Sequence, residues 1–137
     1  MGWTFYNSSG QRLSTDATSG LQSTIVSGSR TASAGAGAQA ITGAGFTPTA
    51  VIILGATSGS ALEYASVGIG DDAANEESLS RNNASWICTT GNIVHMDNNA
   101  SNGMNAVLTS LDADGCTLTW TVAGSGVDTN FRILFLR

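Results

Sequence analysis

Apolar residues along the chain recur mainly with a period of two. Leu118, Trp120 and Val122 alternate with Thr117, Thr119 and Thr121, the pattern of a strand with one buried face and one threonine-lined face. Ala50–Ala56 contains the continuous apolar run Val51-Ile52-Ile53-Leu54, and its bounding Gly and Pro mark it as a buried strand. Phe131–Leu136 carries large residues on both faces, which calls for a central strand or a covered edge. Shorter strand candidates are Gln39–Thr42, Leu62–Gly70, Ser85–Thr90 and Asn92–Asp97, the last two flanking Gly91 as a hairpin or one bent strand. Asn105–Leu111 and Cys116–Ala123 flank Asp112-Ala113-Asp114-Gly115, a hairpin signal with Gly115 available for a left-handed turn position. The single helix candidate is Asp72–Ser80, a segment that fits a loop equally well. About eight short strands with Gly-rich turns predict an all-β fold: a β-sandwich, jelly-roll-like, with an extended N-terminal arm.

The arm is expected over residues 1–37 and the sandwich over 38–137. Trp3, Phe5 and Tyr6 cluster at the start of the chain, and Leu13, Leu21, Ile25 and Val26 are the only further large apolar residues before Ile41. Residues 27–38 are rich in Ser, Gly and Ala and read as a flexible or extended linker. An arm with aromatic anchors and a polar stem cannot build a core of its own. It must pack on its own domain, a sister subunit or another protein.

Composition narrows the function classes. Gly, Ala, Ser, Thr and Asn account for 78 of 137 residues, lysine is absent, and charged residues are 11% of the chain, well under the usual ~25%. The formal net charge of −5 repels phosphate backbones and argues against a nucleic-acid partner. No run approaches the ~18 apolar residues of a membrane-spanning helix. Met1–Tyr6 lacks the basic start and long apolar stretch of a secretory leader, so synthesis and residence in a cytoplasm are expected. A surface poor in charge and rich in hydroxyls and amides suits wide packed protein contacts, and also hydroxyl-rich ligands such as glycans.

Candidate chemistry is sparse. Cys88 and Cys116 are expected to be free and mostly buried thiols, and with one histidine they cannot complete a zinc site. No metal or other cofactor is expected. Gly68 and Gly70 come nearest to a dinucleotide fingerprint, but Asp71 and Asp72 follow where a pyrophosphate would bind. Asp71, Asp72, Asn75, Glu76 and Glu77 offer hard oxygen ligands without calcium-loop spacing, and a solvated loop is the favoured reading. His95 is the lone side chain suited to general-base work, and no nucleophile elbow surrounds any serine, so no catalytic residue is assigned. His95 is read as a strand histidine at a surface or an interface. Trp86 and Tyr64 are the candidates for a sugar-stacking loop, against the competing reading of core packing.

Three segments resemble recurring elements of tailed-bacteriophage structural proteins: Ile41-Thr42-Gly43-Ala44-Gly45-Phe46-Thr47-Pro48-Thr49-Ala50-Val51-Ile52-Ile53, Ser66-Val67-Gly68-Ile69-Gly70-Asp71, and Leu111–Trp120. The opening Trp3–Gln11 is similar to segments of phage tail and head-decoration proteins. The resemblance implies a β-sandwich, usually trimeric, on a virion exterior, and it carries no catalytic residues. The expected function is therefore that of a homotrimeric capsid decoration (cement) protein, made in the host cytoplasm. It would bind the major capsid protein or another virion protein through Trp3, Phe5 and Tyr6. The alternative is a tail-fibre or receptor-binding tip that recognises a host glycan.

Overall fold

A computed structural model describes residues 5–6, 12–13, 21–57, 64–82, 85–99 and 102–137. Among the described residues twelve strands run in chain order: β1 (Phe5–Tyr6), β2 (Arg12–Leu13), β3 (Ser23–Arg30), β4 (Gly37–Thr42), β5 (Ala50–Thr57), β6 (Ala65–Asp72), β7 (Asn75–Asn82), β8 (Ser85–Thr90), β9 (Val94–Asn99), β10 (Asn102–Asp112), β11 (Gly115–Ala123) and β12 (Thr129–Leu136). A six-stranded sheet has the order β3-β12-β5-β6-β7-β8, and a four-stranded sheet the order β4-β11-β10-β9. β1 and β2 form a separate two-stranded ladder. Every ladder is antiparallel. The two larger sheets pack face to face, so the fold is the expected all-β sandwich.

The core lies between the sheets. Val51 and Ile53 of β5 and Phe131, Ile133 and Phe135 of β12 meet Met104, Ala106, Leu108, Leu118 and Trp120 from the four-stranded sheet. Each large side chain removed from water contributes about 1.5–3 kcal/mol. The Trp120 and Phe131 rings are tilted by 34° with centroids 5.7 Å apart, within the range of favourable aromatic pairs. On the solvent side of the four-stranded sheet the threonine face of β11 is in place, with the Thr109 and Thr119 hydroxyls 2.6 Å apart.

β10 and β11 form the expected hairpin, and β12 takes the central position between β3 and β5. Gly115 has φ +153, in the positive-φ region that favours glycine, and the Ile41 carbonyl oxygen lies against it where a Cβ would project. Three expectations are corrected. Asp72–Ser80 is neither helix nor loop: β7 begins at Asn75 and carries Glu76, Ser78 and Ser80 inward. Ser85–Thr90 and Asn92–Asp97 are neither a hairpin nor one strand, because β8 belongs to the six-stranded sheet and β9 to the four-stranded one. Within the stretch expected as arm and linker, Ser23–Arg30 is not linker, because it pairs with β12 along its whole length. Its glycine has a packing reason. A Cβ on Gly28 would collide with the Phe131 ring, so the smallest residue leaves room for one of the largest. A single 3-10 turn at Ala32–Ala34 then carries the chain to β4, held by Asp128 Oδ1, which accepts from the Ala32 N–H at 2.7 Å.

The Ile41–Ile53 and Leu111–Trp120 segments meet in space. The Asp114 carboxylate at the β10–β11 turn accepts backbone N–H bonds from Gly43 (3.1 Å) and Gly45 (2.6 Å). The Asp112 carboxylate accepts from the Ser110 and Thr117 hydroxyls, both at 2.8 Å. These aspartates brace a loop and a turn.

Candidate functional site

β6 and β7 reverse the usual polarity of a sandwich strand. Their inward positions are Ser66, Gly68 and Gly70 on β6, and Glu76, Ser78 and Ser80 on β7, all buried. Their outward positions include Val67, Ile69 and Leu79, which are 45%, 59% and 46% exposed. The inward side is small because β9 passes close over β7, β6 and β5. The Ile93 carbonyl, at the start of that crossing, rests on Gly68 where a Cβ would project. The His95 N–H donates to Ser66 Oγ at 3.1 Å. A backbone laid this close to a sheet excludes large side chains beneath it, so the apolar residues of β6 and β7 lie on the outside.

Strand pairing aligns those residues with their neighbours. Ile25, Leu134, Ile52 and Ile69 form one row across β3, β12, β5 and β6, continued by Glu77 and Thr90. Leu54, Val67, Leu79 and Cys88 form the next, with Arg132 beside Leu54. Ala56, Ala65, Arg81 and Trp86 form a third. Ile25 is 67% exposed and Leu54 55%. Contiguous exposed apolar faces of this kind are uncommon, whereas exposed apolar residues scattered singly are ordinary. The charges are segregated along the strands. Asp71 and Glu77 lie toward one end of the face, and Arg132 and Arg81 toward the other. A depression of about 420 Å³ opens at the acidic end, lined by Ile69, Asp71, Asn75, Glu77, Thr90 and Gly91.

The second constellation lies between the sheets. Ser80 Oγ is 2.9 Å from His95 Nδ1, and His95 Nε2 is 2.9 Å from Asp97 Oδ2. One neutral tautomer satisfies both contacts, with Nε2–H donating to Asp97 and the Ser80 hydroxyl donating to Nδ1. The order of groups resembles a hydrolytic triad, but the Ser80 hydroxyl faces the interior and the residue is 2% exposed. A substrate carbonyl has no approach to it in this arrangement. The network ties β7 of one sheet to β9 of the other. His95, expected on a strand at a surface or an interface, is a strand residue that ties the two sheets together.

Glu76 is buried beside this contact. Its Oε2 accepts the Leu108 N–H at 2.7 Å, while Oε1 has no partner. Burial pushes its carboxyl above the ordinary range. The Leu108 bond opposes that shift and the Asp72 charge adds to it. Asp72 Oδ1 accepts the Ala74 N–H and Asp71 Oδ1 accepts from Asn75 Nδ2, both at 2.7 Å, so the acidic segment is internally bonded as the β6–β7 turn. Among the described residues no group of three or more His, Cys, Asp or Glu is placed to hold a metal ion.

Both thiols are free, but only Cys116 is buried. Burial, reinforced by Asp112, pushes the Cys116 thiol up to about 12. Cys88 is exposed on the outer face, and its Sγ–H donates to Glu77 Oε1 at 2.9 Å, which raises its pKa.

The sugar-stacking pair is not assembled. Trp86 is 66% exposed, whereas Tyr64 is 1% exposed and belongs to the core, so its ring offers no platform to a ligand. Trp3 lies outside the described residues. Phe5 and Tyr6 are described through their backbone pairing with Leu13 and Arg12. No family model, curated protein or solved structure matches the chain.

Proposed function

We propose that this protein is a virion structural protein, a homo-oligomeric capsid decoration protein that binds an assembled shell and stabilises it. The observation that carries this reading is the continuous apolar face formed by Ile25, Leu134, Ile52, Ile69, Leu54, Val67 and Leu79 on the outside of the six-stranded sheet. Such a face suits a protein whose work is assembly. The low charge content and the resemblance of the β4–β5, β6 and β10–β11 segments to phage structural proteins add to it. The mechanism is mechanical: contacts made only in the assembled state stabilise that state by mass action. Trp3, Phe5 and Tyr6 are the anchors this reading assigns to the shell, since buried aromatics carry much of the energy of interfaces.

The test is the protein's copy number per particle, relative to the major shell protein, in purified virions of the source. Copies comparable to the number of shell subunits support decoration. A few copies move the protein to a tail or fibre, and absence refutes the virion reading. Replacing Trp3, Phe5 and Tyr6 together by alanine is expected to release the protein from shells, and retained binding refutes their role as anchors.

A further inference from the structure

We infer that the outer face of the six-stranded sheet is the contact between two copies of this chain, packed face to face about a two-fold axis. The inference rests on the reading of the chain as an assembly protein. It does not depend on which surface the assembly decorates.

Two observations point to a second copy as the occupant. The first is the charge pattern. Asp71 and Glu77 lie toward one end of the apolar rows, and Arg132 and Arg81 toward the other. A two-fold axis lying in the plane of the face and across the strands reverses the strand direction of the second copy. The acidic end of each copy then lies over the basic end of the other, and the same pairing occurs twice, as an isologous contact requires. A parallel arrangement would stack like charge on like. The face is thus complementary to itself in the antiparallel orientation, with Glu77, Arg132 and Arg81 as the charges that flank its apolar residues.

The second observation is size. Three rows over six strands cover roughly 500 Å², from strand spacings of about 4.8 Å and same-face repeats of about 6.8 Å. That is most of the ~800 Å² that each partner contributes to a standard interface, and the polar rim supplies the remainder. Face-to-face sheet packing is also how this chain forms its own core. The dimer would be a further sheet layer on the same principle, burying Leu54, Val67, Ile69 and Leu79, which the monomer leaves in water.

The experiment is sedimentation velocity of the full chain over a range of concentrations, alongside Leu54→Asp and the double variant Asp71→Arg/Glu77→Arg. The wild type is expected to associate in even-numbered species. Leu54→Asp should weaken association about 30-fold or more, because it places a charge in the apolar centre. The double charge variant should weaken it as well, and adding Arg81→Glu, on the same strand as Glu77, should recover part of the loss. Far-UV circular dichroism and thermal unfolding of each variant separate lost association from lost folding. A monomeric wild type, a lone trimer, or association indifferent to Leu54→Asp would each overturn the two-fold contact. A lone trimer found in decoration-level copy number would do so while leaving the decoration reading standing.

Discussion

The two halves of the six-stranded sheet solve the same packing problem in opposite ways. β5 and β12 place Val51, Ile53, Phe131, Ile133 and Phe135 inward, and the four-stranded sheet packs against their bulk. β6 and β7 place Ser66, Gly68, Gly70, Ser78 and Ser80 inward, and β9 fills the space with its own backbone. The first half is held by apolar area. The second is held by close approach and by bonds such as His95 N–H to Ser66 and His95 to Ser80. With the inner face occupied by the β9 backbone, the apolar residues of β6 and β7 point outward. An exposed apolar face is therefore a consequence of how β9 packs, and the proposed assembly would cover it.

The sharpest way to break this contrast is Gly68→Val. The added side chain meets the Ile93 carbonyl, a backbone group that cannot turn aside, so the variant is expected not to fold, as judged by loss of the thermal transition. A folded variant of near-native stability would refute the close approach of β9. In the other half, Phe131→Ala should cost about 3–5 kcal/mol in urea unfolding, through lost burial, the vacated cavity and the lost Trp120 contact. A loss under 1 kcal/mol would mean that half is not held by bulk.

Smaller effects test the polar side of the contrast. His95→Ala removes the contacts to Ser80 and Asp97 and should cost about 1–3 kcal/mol in chemical denaturation. The Glu76 carboxyl binds its proton more readily in the folded than in the unfolded state. Stability from this group therefore falls as pH rises from its unfolded pKa through its higher folded one, and is regained as pH is lowered. Glu76→Gln should accordingly raise Tm by a few degrees at neutral pH and by less in mild acid. A destabilised variant at both pH values would show that the charge is better accommodated than its burial implies. Last, Ile69→Ser should change the stability of the monomer by no more than about 0.5 kcal/mol in dilute solution, because the side chain is already exposed. A larger loss would place Ile69 inside the fold.

Much of the architecture was legible in the chain. β5, β11 and β12 announce themselves because their inward residues are large and apolar, and the β10–β11 hairpin is marked by Asp114-Gly115. β7 was not legible, because a strand with Glu76, Ser78 and Ser80 inward looks like a polar loop when apolar residues are taken to mark the inside. β3 was hidden for a related reason: Gly28 reads as linker until the Phe131 ring is seen against it. The exit of β9 to the other sheet depends on a long-range choice that local pattern does not encode. For the surface, Val67 and Ile69 were visible as apolar, but which side they face is set by β9. The alternation of His95 with Asp97 could have placed the two on one side of a strand. Ser80, from another strand and another sheet, could not have been added to them from local pattern.

The outer face carries its own reporter. Cys88 stands in the row with Leu54, Val67 and Leu79, while Cys116 is buried and held protonated. The most direct measurement is the rate at which a thiol reagent labels the native protein as its concentration is raised, with the labelled residue identified by mass spectrometry. Cys88 should react readily in dilute solution and become protected as copies associate, while Cys116 reacts only on unfolding. Labelling of Cys88 that stays equally fast in dilute and fully associated protein would contradict an interface on this face.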